Sequence, residues 1–251
     1  MKTLFPAAVL CLATGASHVA SAATVTIAAN RDATLYEDPA GAQSSGASLF
    51  VMTGRVGTND SSPLRRALVQ FDLSALPAGA VITAAELTMT ATRVKDNTAF
   101  VTTLQRVTAG WTEGSTNAGS GGNGAPADAG DATWLHRSSP SLWANAGGDF
   151  SATISASQTI GALGSYTWSS SGVVSDVQFW ADNPSQNFGW MVRGNEQTPQ
   201  SVKEFSSHEG AAAPSLLITY TQVPEPGSAA LAAAALAPAL VRRRKTAQAK
   251  R

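Results

Sequence analysis

The sequence predicts an all-β protein: an antiparallel β-sandwich, jelly-roll-like, with one short helix. Between residues 24 and 221, short segments repeatedly alternate apolar and polar residues, which is typical of half-buried strands. Turns that contain Gly and Pro separate these segments, for example at residues 76–79. Many short strands with such turns, and only one helical pattern, favour a sandwich.

The clearest strand patterns lie at residues 66–73 and 86–92, where apolar residues occupy every second position. Since alternate side chains of a strand share a face, we expect this apolar face to point into the core. The residues expected to point inward are Val69, Phe71, Leu73, Leu87 and Met89. Further strands are predicted at residues 24–29, 48–52, 100–107, 150–157, 165–169, 188–193, 202–206 and 216–221.

One short helix is predicted near residue 175, because apolar residues recur there at helical spacing. Its apolar positions are Val173, Val174, Val177 and Trp180. We expect Ser170 or Ser171 to cap its N-terminus, and Pro184 lies beyond its end.

Residues 108–149 interrupt the strand pattern with a long stretch rich in Gly, Ala, Ser and Asn. Loops of this length inside a compact domain are often functional. We expect Trp111 to lie in the core, like Trp168 and Trp180. Trp134 and Trp143 have polar neighbours, which leaves two alternatives open: they stack on sugar rings, or they anchor the loop.

The N-terminus has the layout of a secretory signal peptide. Lys2 precedes an apolar run at residues 4–16, and Ala20, Ser21 and Ala22 form a small-x-small cleavage site. The apolar run is too short for a membrane anchor. We therefore predict that residues 1–22 are a signal peptide and that the domain occupies residues 23–222. The only cysteine, Cys11, lies in the signal, so the mature chain has no disulfide.

The C-terminal residues 223–251 form a tail with three parts in order. Pro224, Glu225 and Pro226 are followed by an apolar run at residues 227–241 and then by a basic cluster. As a helix, that run would span about 22 Å, less than the roughly 30 Å of the hydrocarbon core. The tail resembles the PEP-CTERM sorting signal of Gram-negative bacteria. This resemblance implies transient insertion in the inner membrane, removal by an exosortase-type enzyme, and an association with exopolysaccharide.

The predicted domain is acidic. Residues 23–222 contain 10 Lys and Arg and 16 Asp and Glu, a net charge of −6. A nucleic-acid-binding domain usually carries an excess of basic residues, because it must neutralise phosphates. The charge therefore argues against nucleic acid as a partner.

The sequence shows no motif of a catalytic zinc site, a serine-hydrolase elbow or a phosphate-binding loop. A glycosidase or lyase would need paired carboxylates or a positioned base, and no sequence spacing pairs the available acids. These acids are Glu113, Asp149, Glu196, Glu204 and Glu209. We interpret them as solvated acids and expect no catalytic residue and no enzymatic activity.

Two other candidate sites depend on loop residues. An anionic glycan would need a local basic patch or bridging calcium on this acidic domain, and Arg137 and Arg193 are the candidates for the patch. Together with Trp134 and Trp143 they form the predicted ligand-binding set. Asp32, Asp128 and Asp131 are candidate ligands of a structural calcium ion, although no EF-hand spacing is present.

Three segments of the domain resemble the DNRLRE family. They are residues 68–73 with the turn at 77–79, residues 111–114, and residues 187–190 leading to 205–209 and 214–216. The name-giving hexapeptide does not occur in this sequence. The resemblance implies a relation to carbohydrate-binding modules, some of which bind alginate.

These patterns together predict an exported, non-catalytic protein of the cell surface or extracellular matrix that binds polysaccharide. Two alternatives stay open at this point. One is a structural biofilm-matrix protein without a specific ligand, and the other is a polysaccharide-degrading enzyme.

Overall fold

The computed structural model describes residues 21–222, except Asp96 and Gly121. The compact unit in this range is Ala22–Gln222. The predicted signal peptide, apart from Ser21 and Ala22, and the predicted sorting tail lie outside the described residues. No helix in the described range is both long enough and apolar enough to span a bilayer.

Within the described residues, the domain contains fourteen strands, one α-helix and a single 3-10 turn at Pro184–Gln186. The helix α1 spans Ser171–Asp182. The strands are β1 (Ala22–Tyr36), β2 (Gln43–Ser44), β3 (Phe50–Arg55), β4 (Leu64–Phe71), β5 (Ala80–Val94), β6 (Phe100–Val107), β7 (Ala125–Pro126), β8 (His136–Ser138), β9 (Ser141–Leu142), β10 (Phe150–Ile160), β11 (Gly164–Ser169), β12 (Trp190–Arg193), β13 (Lys203–Ser206) and β14 (Ser215–Gln222).

The long strands form two antiparallel sheets that are joined through both β1 and β3, since β3 pairs with β13 and also with β4. In the first sheet, β5 pairs with β11 on one side and with β14 and β13 on the other, and β13 pairs with β3. In the second sheet, the order is β1, β4, β12, β6 and β10. Residues 22–28 of β1 pair with β14, whereas residues 29–36 pair with β4. This arrangement confirms the predicted antiparallel β-sandwich with one short helix.

The main core lies between the two sheets. The residues predicted to point inward, Val69, Phe71, Leu73, Leu87 and Met89, are all buried in it. Trp168, Trp180 and Trp190 are each at most 1% exposed, and the ring centroids of Trp180 and Trp190 are 4.5 Å apart. Burial of large aromatic side chains dominates the stability of such a core.

Helix α1 packs against β5 and β10. Ser170 caps it, because the Ser170 hydroxyl accepts hydrogen bonds from the backbone N–H groups of Gly172 and Val173. Val173 and Val177 are buried on its inner face, together with Trp180, as the spacing predicts.

The long segment 108–149 covers part of the outer face of the second sheet. It contains only the short strands β7, β8 and β9 among its described residues. Its apolar side chains form a second core against the outward residues of β1, β4, β6 and β12. This second core comprises Ala33, Leu35, Leu64, Leu68, Val107, Trp111, Ala132, Trp134, Trp143 and Met191.

Strand β1 is longer than the six residues predicted from alternation. A shift of register between Ala29 and Arg31 interrupts the period-two pattern in the middle of the strand. Beyond the shift, Asp32 and Thr34 are buried although they are polar. This part of the sequence therefore lacks a strand pattern, although it forms the part of β1 that belongs to the second sheet.

Candidate functional site

Three side chains from two distant parts of the chain meet next to β13. His208 Nε2 lies 2.8 Å from Glu113 Oε1 and 2.8 Å from Glu209 Oε1. One donor atom from each residue lies within 4.8 Å of the other two. We call this group the Glu113–His208–Glu209 cluster. Its side chains are 21%, 23% and 27% exposed, so solvent reaches all three.

The segment that carries Glu113 is held from both sides. The indole Nε1–H of Trp111 donates to the carbonyl of Phe188 at 2.9 Å. Glu113 Oε1 accepts a hydrogen bond from the backbone N–H of Asp32 in β1 at 2.5 Å. Gly114 follows at a φ of +83°, and a Cβ built there would lie 1.7 Å from Asp131 Oδ1. Glycine at position 114 thus permits the close approach that orients Glu113.

Asp32 lies beside the cluster. Its Oδ2 accepts a hydrogen bond from the backbone N–H of His208 at 2.7 Å. This hydrogen bond holds the carboxyl group against the segment that contains His208 and Glu209. Its Oδ1 is buried and has no hydrogen-bond partner in the described structure. Buried polar atoms in proteins are usually hydrogen-bonded, so an orphaned carboxylate oxygen requires an explanation.

Burial sets the protonation behaviour of these acids. It raises the pKa of Asp32 well above its usual range; the backbone hydrogen bond from His208 opposes this rise, and the charges of Glu209 and Glu113 add to it. Burial also raises the pKa of Glu113, although the Asp32 N–H and nearby His208 act in the opposite direction. The cluster therefore concentrates carboxylates at a place where negative charge is costly.

A groove lies on the part of the second sheet that the long segment leaves open. Its volume is about 390 Å³, within the range of ligand pockets. It is lined by residues of β6 and β10, by the end of β12 and by the loop that follows β12. Its lining includes Val101, Thr103, Gln105, Ile154, Arg193 and Asn195, and we call this surface the β6–β10 groove.

An ion-pair network supports the groove. Glu196 accepts hydrogen bonds from both Arg66 and Arg193, with N–O distances of 2.7 Å to each guanidinium group. Arg193 also donates to Gln105 Oε1 at 2.9 Å. Burial acts to raise the pKa of Glu196, but the hydrogen bonds and charges of Arg66 and Arg193 outweigh it and lower that pKa.

Trp134 and Trp143 have no face to offer a sugar ring. They are 8% and 5% exposed and belong to the second core. The indole N–H of Trp143 donates to the carbonyl of Thr133 at 3.0 Å, and Arg66 covers Trp134 at 4.8 Å. Of the two alternatives that the sequence left open, the structure favours loop anchoring and argues against sugar stacking.

The two arginines predicted to form a basic patch, Arg137 and Arg193, lie on different parts of the surface. Arg193 lines the β6–β10 groove. Arg137 lies on β8, is exposed, and donates to the carbonyl of Gly110 at 3.1 Å, away from the described lining of that groove. Only Arg193 therefore remains a candidate ligand-binding residue of the predicted set.

The predicted calcium ligands do not come together as one set. Asp131 is buried and already accepts hydrogen bonds from Ser115 N, Asp128 N and the Thr116 hydroxyl, which makes it the centre of a loop turn. Asp128 is exposed. Within the described residues, the side chains close enough together to share a metal ion are instead those of Glu113, His208 and Glu209, with Asp32 beside them.

Comparison with known proteins adds no identification. No protein-family model matches the chain, and no curated protein matches it at a significant level. The resemblances described from the sequence therefore remain predictions.

The partnership of Glu113 and His208 was missed from the sequence. The two residues are 95 positions apart, and no local pattern links them. The adjacency of His208 and Glu209 directly after a strand was the only available signal. This adjacency indicates a site only when the end of β13 is known, and the pairing of β13 with β3 and β5 defines that end.

Proposed function

We propose that the protein is an exported, non-catalytic protein of the cell surface or extracellular matrix of a Gram-negative bacterium, and that its domain binds polysaccharide. The patterns at residues 1–22 and 223–251 support export and sorting by an exosortase-type enzyme. The resemblance of the domain to carbohydrate-binding modules supports the ligand class. The observation that carries binding is the β6–β10 groove.

The groove has the two kinds of surface that a sugar chain needs. Val101 and Ile154 are each 52% exposed, although most large apolar residues of the domain are buried. They offer apolar contact to the C–H faces of sugar rings. Thr103 and Asn195 add a hydroxyl and an amide group that can hydrogen-bond to sugar hydroxyls, whereas Gln105 is buried and bonded to Arg193.

Electrostatics narrows the glycan class. Arg66, Arg193 and Glu196 together carry a charge of +1 at the edge of the groove, in a domain whose net charge is −6. The local positive charge tolerates a weakly anionic chain, whereas the acidic remainder repels a densely charged one. We therefore favour a neutral or weakly anionic polysaccharide.

The test is retention of the full-length protein on a panel of insoluble and gelled glycans, including neutral glycans and alginate. We expect retention of the wild type on at least one glycan, and a loss of about tenfold or more in Val101→Asp, because a carboxylate would replace an apolar contact in the groove. Val81→Asp is the matched control. Val81 is 45% exposed and lies on β5 in the first sheet, so its variant should bind normally.

Three results would contradict the proposal. Equal retention of the two variants would place binding elsewhere. A wild type that binds no glycan would favour a structural matrix protein. New reducing ends or unsaturated products after incubation would favour a polysaccharide-degrading enzyme.

A further inference from the structure

We propose that Glu113, His208 and Glu209 bind a divalent transition-metal ion of the zinc type, and that Asp32 accepts a hydrogen bond from a water molecule on that ion. This inference is independent of the proposed glycan binding, since the site shares no residue with the β6–β10 groove.

The donor set suits such an ion. Imidazole nitrogen and carboxylate oxygen are both ligands of Zn²⁺, and three protein ligands with a water molecule in the fourth position are one of its usual arrangements. Calcium instead takes six to eight oxygen ligands, and imidazole nitrogen is not among its usual ligands. The presence of His208 therefore favours a transition metal over the calcium ion expected from the sequence.

The distances are close to those of a coordination sphere. In a tetrahedral site with bonds of about 2.0 Å, ligand atoms lie about 3.3 Å apart. His208 Nε2 lies 2.8 Å from each glutamate oxygen, so an ion requires these atoms to separate by about 0.5 Å. Side chains that are 21–27% exposed can make this adjustment, and the same exposure provides an entry path.

The number of hydrogen bonds that His208 can donate also supports a metal ion. His208 Nε2 carries at most one proton, yet it contacts two carboxylate oxygens at equal distance. One N–H group cannot donate a full hydrogen bond to both. When Nε2 instead binds an ion through its lone pair, both carboxylates gain a positive partner.

Asp32 supplies the second, separate observation. Asp32 is 1% exposed, and its Oδ2 accepts a hydrogen bond from the His208 backbone N–H. Its Oδ1 has no hydrogen-bond partner among the described residues. A water molecule held by the ion would donate to this oxygen. Outer-sphere carboxylates of this kind commonly orient the groups bound to a metal.

The experiment is calorimetric titration of the full-length, chelator-treated protein with Zn²⁺, with Ca²⁺ in a parallel titration. We expect one Zn²⁺ per chain, and an affinity at least about tenfold lower in His208→Gln and in Glu209→Gln. His136→Gln is the matched control. His136 is the other histidine among the described residues and is bonded to Thr133, so its variant should bind Zn²⁺ normally.

Thermal unfolding provides a second readout. Zn²⁺ should raise the Tm of the wild type, a chelator should reverse the shift, and His208→Gln should show a clearly smaller shift at the same Zn²⁺ concentration. If His208→Gln does not fold by circular dichroism, Glu209→Gln gives the same comparison, because Glu209 is exposed. No 1:1 binding by the wild type, or unchanged binding by the folded ligand variants, overturns the site. Equal affinity for Ca²⁺ overturns the choice of ion.

Discussion

Phe71 lies edge to face against Trp190, with ring centroids 6.2 Å apart and an angle of 65° between the rings. Both side chains are at most 1% exposed in the core between the sheets. Phe71→Ala removes this contact and leaves a cavity, so we expect it to lower the free energy of unfolding by about 3–5 kcal/mol. Chemical denaturation with a urea series measures this loss. A loss below about 1 kcal/mol would contradict the assignment of Phe71 to the core.

The second core gives a separate stability prediction. Because Trp143 is buried and hydrogen-bonded to Thr133, we expect Trp143→Ala to cost about 3–5 kcal/mol, and Trp143→Phe to cost less. Thermal unfolding and glycan retention should be measured on the same variants. An unchanged Tm together with a loss of glycan retention would contradict loop anchoring and support the hypothesis that Trp143 stacks on a sugar ring.

Glycine at position 114 should be hard to replace. Gly114→Ala puts a Cβ into Asp131 Oδ1 at a positive φ, so we expect a loss of about 2–4 kcal/mol in the free energy of unfolding. Gly79→Ala is the matched control, since Gly79 has a φ of +71° but nothing within 4 Å of the added atom. Its loss should be about 1 kcal/mol, from backbone strain alone. Equal losses in the two variants would mean that Asp131 does not pack against Gly114.

The network around Glu196 predicts a pH-dependent contribution to stability. The pKa of Glu196 in the folded protein is lower than the 4.5 of an unperturbed glutamate. Its stabilising effect is therefore present above pH 4.5 and is lost as the pH falls through the lower, folded-state pKa. We expect Glu196→Gln to cost about 2 kcal/mol at pH 7 and progressively less as the pH falls below 4.5. Denaturation of both proteins at several pH values measures this difference, and a constant difference would contradict the network.

Processing at both ends can be tested on the exported protein. We expect mass spectrometry to find the mature N-terminus at Ala23. Replacing Pro224, Glu225 and Pro226 with alanines should leave the protein unprocessed in the inner membrane. An intact Met1 on the exported protein would contradict the signal peptide. Normal release of the triple-alanine variant would contradict the sorting signal.

Local patterns predicted most of the fold but little of the cluster. Alternation revealed β5 and the inward face of β4, and helical spacing revealed α1 with its cap at Ser170. The second half of β1 was missed because a shift of register breaks its period. Burial of Trp143 was not predictable, because its sequence neighbours are polar and its partners lie on strands of the second sheet.

The first strand of the domain closes against the last. Among the described strands, β14 is the partner of residues 22–28 of β1. The edge of the first sheet therefore cannot form until residues 215–222 have been synthesised. Pairing between such distant segments slows folding, because the chain must lose loop entropy before the contacts form. Under the proposed export, this late closure would prolong the time in which the unfolded chain can pass through a membrane channel.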